Sequence, residues 1–305
     1  MIPTLPAVEE TLERVRARMG RRAAGLGSRI GDPLSAHVAR PGKMLRARYA
    51  LLLGAALDAA PEVSERTACV AELVHNASLL HDDCIDNGTL RRGAPTPNAE
   101  FGDKSGVLLG NLAFTEAMDE AFDLPPGAAR ALAAAVREMA AGALQEEFLR
   151  GSLNVSAEGY FGLAARKTGS LFEWIGLALA GGAAQRRLGR SAGILLQIVD
   201  DVHDFTLDSD RAGKDAGQDF ANGRLTLPCI LALDDEGSRG RFLEAWSRRG
   251  SPGAFEDARR LLQEGGYLEQ ASGKAREVYE RMLPWVPEKA GSMREFLRQM
   301  LEREF

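Results

Sequence analysis

The stretch Glu72-Leu73-Val74-His75-Asn76-Ala77-Ser78-Leu79-Leu80-His81-Asp82-Asp83-Cys84-Ile85-Asp86 is an apolar run that ends in a carboxylate cluster. At about 100° per residue, Ala71, His75, Ser78, Asp82 and Asp86 fall on one stripe of a helix. Asp82 and Asp86 stand one turn apart, where like charges repel. They also sit at a C-terminal end, where the helix dipole disfavours negative charge. A bound cation would relieve both penalties. Ser64, in Pro61 to Ser64, reads as the N-cap, and Asn87-Gly88 as the stop. The pattern therefore predicts a helix from Ser64 to Asp86.

A second cluster repeats the arrangement. Gln197-Ile198-Val199-Asp200-Asp201-Val202-His203-Asp204 closes another apolar segment, and Gln197, Asp200, Asp201 and Asp204 share one face. Hard oxygen ligands select Mg²⁺, which keeps water and completes its octahedron with phosphate oxygens. The implied ligand is a diphosphate held between two carboxylate banks. Cations for such a ligand stand in or beside glycine-containing segments: Lys43 and Arg46, Arg91 and Arg92, Lys167 before Thr168-Gly169, Lys214, and Arg224.

Composition sets the frame for these motifs. Among 305 residues, 47 Ala and 40 Leu stand against 13 Val and 7 Ile, so the apolar content lies in helix formers. A large sheet is excluded, and the expected class is all-α. A net charge of −5 argues against a general nucleic-acid binder. The longest uncharged apolar stretch, Trp174 to Ala184, contains three glycines and falls short of the roughly 20 residues of a spanning helix. No transmembrane segment is expected. Glu9, Glu10 and Glu13 occupy the place of a signal peptide's apolar stretch, and Cys69, Cys84 and Cys229 lack CxxC spacing. The expected location is a reducing cytoplasm.

No linker or fixed-period repeat divides the chain, so one helical domain over residues 1–305 is expected, with 1–32 forming an N-terminal helix and a loop. Further helices are predicted at Leu45 to Leu57, Val107 to Phe122, Gly127 to Leu149, Ala157 to Ala184 with a break at Thr168-Gly169, and Ser191 to Phe205. Five shorter ones follow between Leu227 and Phe305.

From Gly42 to Pro228 the chain resembles the trans-polyprenyl diphosphate synthases. Glu72 to Asp83 is similar to the family's first aspartate-rich motif and its approach, and Gln197 to Asp204 to the second. Gly213-Lys214-Asp215-Ala216-Gly217-Gln218-Asp219 and Gly223-Arg224-Leu225-Thr226-Leu227-Pro228 resemble its downstream loop. The resemblance implies an isoprenoid synthase bundle with a central elongated cavity and a homodimer. It implies that Asp82, Asp86 and Asp200 bind several Mg²⁺ ions, supported by Asp83, Asp201 and Asp204. Arg91, Lys167 and Lys214 would contact an allylic diphosphate with Thr168 and Gln197, while Lys43, Arg46, His75 and Arg92 would hold isopentenyl diphosphate. Met44, Asn111, His203 and Arg224 depart from the usual pattern.

The implied activity is condensation of isopentenyl diphosphate with geranyl, farnesyl or geranylgeranyl diphosphate. The first motif lacks the two-residue insertion of bacterial short-chain members, which favours a medium- or long-chain all-trans product. Ala77 and Ser78 upstream of Asp82, with Val74, Phe114, Met118 and Phe122, are the candidates for setting chain length. A short-chain synthase, a terpene cyclase and a non-catalytic partner subunit are the competing readings. The second aspartate motif speaks against a cyclase, and the two intact clusters speak against a partner that has lost catalysis.

Overall fold

The computed structural model describes residues 5–40, 42–180, 182–206, 217–251 and 253–302. Ten helices carry the chain from its amino-terminal end to the second aspartate cluster: α1 (Leu5–Ala24), α2 (Ser28–Ala39), α3 (Leu45–Ala56), α4 (Pro61–Ile85), α5 (Pro97–Phe101), α6 (Asp103–Phe122), α7 (Ala128–Phe148), α8 (Ala157–Ala164), α9 (Ser170–Ala180) and α10 (Ala183–Thr206). Helices at Leu227–Asp234, Glu236–Ser247, Ala254–Glu264, Tyr267–Met282 and Gly291–Glu302 follow. The expected all-α bundle is what forms. Among the described residues the strands are two dipeptides, Leu90–Arg91 and Ala94–Pro95, paired antiparallel.

Helix α4 is the inner pillar. It packs against α3, α6 and α9, and α10 packs in turn on α9 and on Tyr267–Met282. Val70, Leu73, Val74, Ala77 and Leu80 of α4 meet Phe172 and Ile175 of α9 and Leu195 and Ile198 of α10 in one apolar core. A separate aromatic cluster closes the far end of α10. There Phe205 stacks on Phe255 and Phe220 meets Trp246 edge-on, at centroid distances of 5.3 and 5.4 Å.

Helix α1 is fastened by charge as well as by Val8, Leu12, Val15 and Met19. Glu120 of α6 is 1% exposed. It pairs with Arg18 at 2.6 Å and Arg22 at 2.8 Å from α1, and with Arg66 at 2.9 Å from α4.

Two local expectations need correction. The loop expected to run up to Asp32 is confined to the turn at residues 25–27, because Ser28–Ala39 is helical and buries Gly31, Leu34, His37 and Val38. A Cβ on Gly31 would meet the Ala23 carbonyl oxygen at 2.4 Å, so this glycine permits close packing of two helices rather than a turn. Ser64 is not an N-cap. Pro61 opens α4 behind Ala60, as its missing N–H allows, and Ser64 is buried beneath Gly54.

The break expected at Thr168-Gly169 is real but takes the form of a π-turn. Residues Ala165–Gly169 form it between α8 and α9. A Cβ on Gly193 would lie 2.5 Å from Gly169 Cα, so α10 abuts the wide turn backbone to backbone.

Candidate active site

One cavity of about 610 Å³ gathers side chains from α3, α4, the dipeptide hairpin, α7, the π-turn, α10 and the segment 217–226. Asp82 and Asp86 line it from α4, and Asp200, Asp201 and Asp204 from α10. Lys43, Arg46, Arg91, Arg92, Lys167 and Arg224 supply positive charge, with His75 and Gln197 beside them. Leu79, Leu163, Leu196 and Leu225 form apolar wall. Lys214 lies outside the described residues.

The end of α4 is shaped by local chemistry. Asn87 takes φ +54°, and the Gly88 N–H returns to the Asp83 carbonyl at 2.9 Å, closing the helix. Thr96 and Asn98 side chains then bind the Gly88 carbonyl at 2.6 and 3.1 Å. Between them the hairpin turns at Arg92-Gly93, both at positive φ. This places Arg91 in a fork on Asp83, with Nε at 2.9 Å and Nη2 at 2.6 Å from Oδ1. Asp83 is 2% exposed and is not part of the cavity lining; its carboxylate faces Arg91, which is. Arg92 lies over Gly42, where a Cβ would meet its Cζ at 2.7 Å.

Helix α3 is preceded by Met44, which has φ +47° and offers no side-chain cap. Buried Glu72 of α4 substitutes, accepting the Ala47 N–H at 3.0 Å. The same carboxylate acts on two guanidiniums. Burial lowers the affinity of Arg46 and Arg92 for their protons, and Glu72 opposes that loss in both. Arg46 also stands over the Phe172 ring at 5.6 Å. Burial, reinforced by Arg46 and Arg92, holds His75 well below its ordinary range, so the imidazole is neutral.

Lys167 projects from the π-turn to Glu146 at 2.5 Å. Burial works against its charge, yet Glu146 and Asp82 raise its proton affinity. Burial holds the Asp82 carboxyl above its ordinary value, against the attraction of Lys167. On α10 the paired aspartates divide. Asp201 is buried and receives Tyr160 Oη at 2.6 Å and Gln197 Nε2 at 2.8 Å, while Thr168 Oγ1 donates to Gln197 Oε1 at 2.8 Å. Burial raises the Asp201 carboxyl to about 8, with the Tyr160 bond opposing. Asp200 is the less buried member of the pair.

Among the described residues no group of three or more His, Cys, Asp or Glu closes into an ion cage. A Mg²⁺ ion takes one or two carboxylates and fills its remaining positions with water and phosphate oxygens. The donors Asp82, Asp86 and Asp200 are all oxygen and all face the same space. They fit a hard cation bound together with a diphosphate.

Several sequence candidates sit elsewhere. Thr168 stands behind Gln197, outside the lining. Val74 and Ala77 are in the closed core, Ser78 bonds the His75 carbonyl at 2.8 Å, and Phe114 packs on the core from outside. None of these four lines the cavity. Met118 is likewise partly buried, and Phe122 and Asn111 are exposed. Conversely, Glu72, Glu146 and Tyr160 are site residues that sequence reasoning did not single out. No spacing rule marks them, because each is identified by a partner far away in the chain.

A family model described as Polyprenyl synthetase matches residues 28–262. An octaprenyl diphosphate synthase of Haemophilus influenzae is 32% identical over 251 residues, covering 79% of this chain and 76% of its own. A heptaprenyl diphosphate synthase component 2 of Geobacillus stearothermophilus is 33% identical over 243 residues, covering 76% and 73%. Among solved structures, a decaprenyl diphosphate synthase from Rhodobacter capsulatus superposes with a TM-score of 0.85 at 27% identity, over 98% of this chain and 97% of that one. A polyprenyl synthase from Caulobacter crescentus, complexed with calcium and isoprenyl diphosphate, gives 0.85 at 26% identity over 96% and 94%. The chain belongs to the polyprenyl synthetase family.

Proposed function

We propose that this prenyltransferase condenses isopentenyl diphosphate with an allylic diphosphate, in the presence of Mg²⁺, to a medium- or long-chain all-trans polyprenyl diphosphate. The observation that carries the reading is the convergence of both aspartate clusters and six basic side chains on one cavity. Magnesium, when bound, supplies positive charge opposite the departing diphosphate. Lys167 and Arg91 add fixed cationic donors for the same anion. Arg46, Arg92 and Lys43, with neutral His75, hold the second diphosphate. The allylic carbon–oxygen bond ionises, the homoallylic double bond attacks, and the proton leaves to the released diphosphate. Leu79, Leu163, Leu196 and Leu225 keep water from the cation. No side-chain nucleophile is required.

The same reading includes a homodimer and a reducing cytoplasm. Val107 and Leu108 of α6 and Leu144 and Phe148 of α7 are exposed apolar side chains, of the kind a second copy covers. All three cysteines are unpaired. Among the described residues no helix is long and apolar enough to cross a membrane.

The test is incubation of the purified chain with farnesyl diphosphate, isopentenyl diphosphate and Mg²⁺, followed by chain-length analysis of the products. Elongation beyond geranylgeranyl is expected, with turnover lost and helicity kept in Asp82→Ala. Absence of any elongated diphosphate sinks the synthase reading, and a product no longer than geranylgeranyl sinks its chain-length part.

A further inference from the structure

We propose that Arg150, on the loop after α7, is a positioning residue that couples metal uptake to diphosphate binding by occupying Asp86 until a diphosphate arrives. The inference rests on the carboxylate–metal reading above and deepens it.

Two guanidiniums reach Asp86 from separate loops. Arg224 takes both carboxylate oxygens, Nη2 at 2.6 Å from Oδ1 and Nη1 at 2.9 Å from Oδ2. Arg150 Nη2 adds a second contact to Oδ1 at 3.1 Å. The oxygens that a cation needs are thus already engaged. Arg150 is the more exposed of the two, at 32% against 15%, and is tethered by Glu147 at 3.1 Å.

A backbone clasp holds the two arginines together. The Gly151 N–H donates to the Gly223 carbonyl at 2.8 Å. Gly151 and Gly223 have φ values of +77° and +76°, and a Cβ on Gly223 would lie 3.0 Å from Gly151 N. Only glycine allows both the left-handed backbone and the contact. Arg249 closes the clasp from outside, its guanidinium 5.1 Å above the Trp246 ring and Nη1 bonded to the Trp246 carbonyl at 3.1 Å. The residue following Arg150 is therefore bonded to the residue preceding Arg224, and this is what brings both side chains to one carboxylate.

The consequence is a competition. A divalent cation approaching Asp86 alone must displace three charge-assisted hydrogen bonds from two guanidiniums. A diphosphate entering with the cation offers the guanidiniums an equivalent anion, so their release from Asp86 costs little. Cation and diphosphate then favour each other's binding, and the coupling is reciprocal.

The experiment measures Mn²⁺ uptake by the full chain through the electron paramagnetic resonance signal of the free ion, without pyrophosphate. Arg150→Ala and Arg150→Gln are expected to tighten Mn²⁺ binding roughly fivefold, the scale of one partly exposed charged hydrogen bond. Arg150→Lys, which keeps the charge and loses the fork, should fall between. Mn²⁺ affinity that is unchanged or weaker in both Arg150→Ala and Arg150→Gln overturns the proposal. Isothermal titration of wild type with magnesium pyrophosphate separates the two readings. No binding there removes the diphosphate reading itself, whereas binding there with unaltered Mn²⁺ affinity in the variants removes only the role of Arg150.

Discussion

Replacing Glu120 by Gln keeps the shape of the side chain and removes its charge. Three guanidiniums then lose the carboxylate they share at 2.6 to 2.9 Å. A hydrogen bond to a charged group contributes about 1.5–3 kcal/mol, but three cannot be added here. The arginine side chains are 21–23% exposed, which screens their charges. They also keep other acids: Arg22 has Glu116 at 2.9 Å, and Arg66 has Glu62 at 2.9 Å and Asp123 at 2.6 Å. The amide oxygen still accepts one bond. Breaking a buried pair costs about 3–5 kcal/mol, and these compensations place Glu120→Gln near the lower end, about 3 kcal/mol. At roughly 2 °C per kcal/mol for a large domain, the midpoint of thermal unfolding should fall by about 6 °C. Far-ultraviolet circular dichroism at one fixed protein concentration reads it, since association shifts the midpoint by mass action. A fall below about 1 °C would refute the reasoning and reduce the cluster to ordinary surface ion pairs.

Two further predictions follow from buried groups and close backbones. Burial and the nearby Arg40, Arg92 and Arg91 lower His37 from 6.5 to about 3. The unfolded chain accepts that proton at the higher value, so the contribution is complete above pH 6.5 and is lost as pH falls toward 3. At about 1.4 kcal/mol per unit, the whole effect is on the order of 5 kcal/mol. His37→Gln should therefore flatten the fall of unfolding midpoint between pH 6.5 and 5, and an unchanged slope would contradict the assignment. Gly193→Ala forces a methyl to within 2.5 Å of Gly169 Cα. A loss of about 2 kcal/mol is expected, with slower turnover as Thr168 shifts from Gln197. Wild-type stability and kcat in that variant would show that the π-turn yields freely.

The chemistry of the site was legible wherever it followed helical period. Asp82 and Asp86, and Gln197, Asp200, Asp201 and Asp204, lie on shared faces, and the helices that carry them open onto the same cavity. What the period could not separate is the role of adjacent acids. Asp83 and Asp201 read like their neighbours, yet one serves Arg91 and the other is wrapped by Tyr160 and Gln197. Glu146 sits in the polar run Gln145-Glu146-Glu147, which looks like a solvated face; only the crossing of α7 with the π-turn brings it to Lys167. The loop expected up to Asp32 misled because glycine marks both turns and close helix contacts. At Gly31 the contact decides.

The π-turn at Ala165–Gly169 gives one position in this chain an unusual sensitivity to length. A wide turn accommodates one extra residue, and each residue is worth about 100° of rotation. The turn is what lets Lys167 face the cavity while Leu171, Phe172 and Ile175 still face the core. Shortening it by one residue would restore a continuous α-helix with every apolar contact of α9 available, and would swing the lysine away from Glu146 and Asp82. A single-codon deletion here would separate folding from chemistry, leaving a stable bundle whose cavity has lost one of its cations.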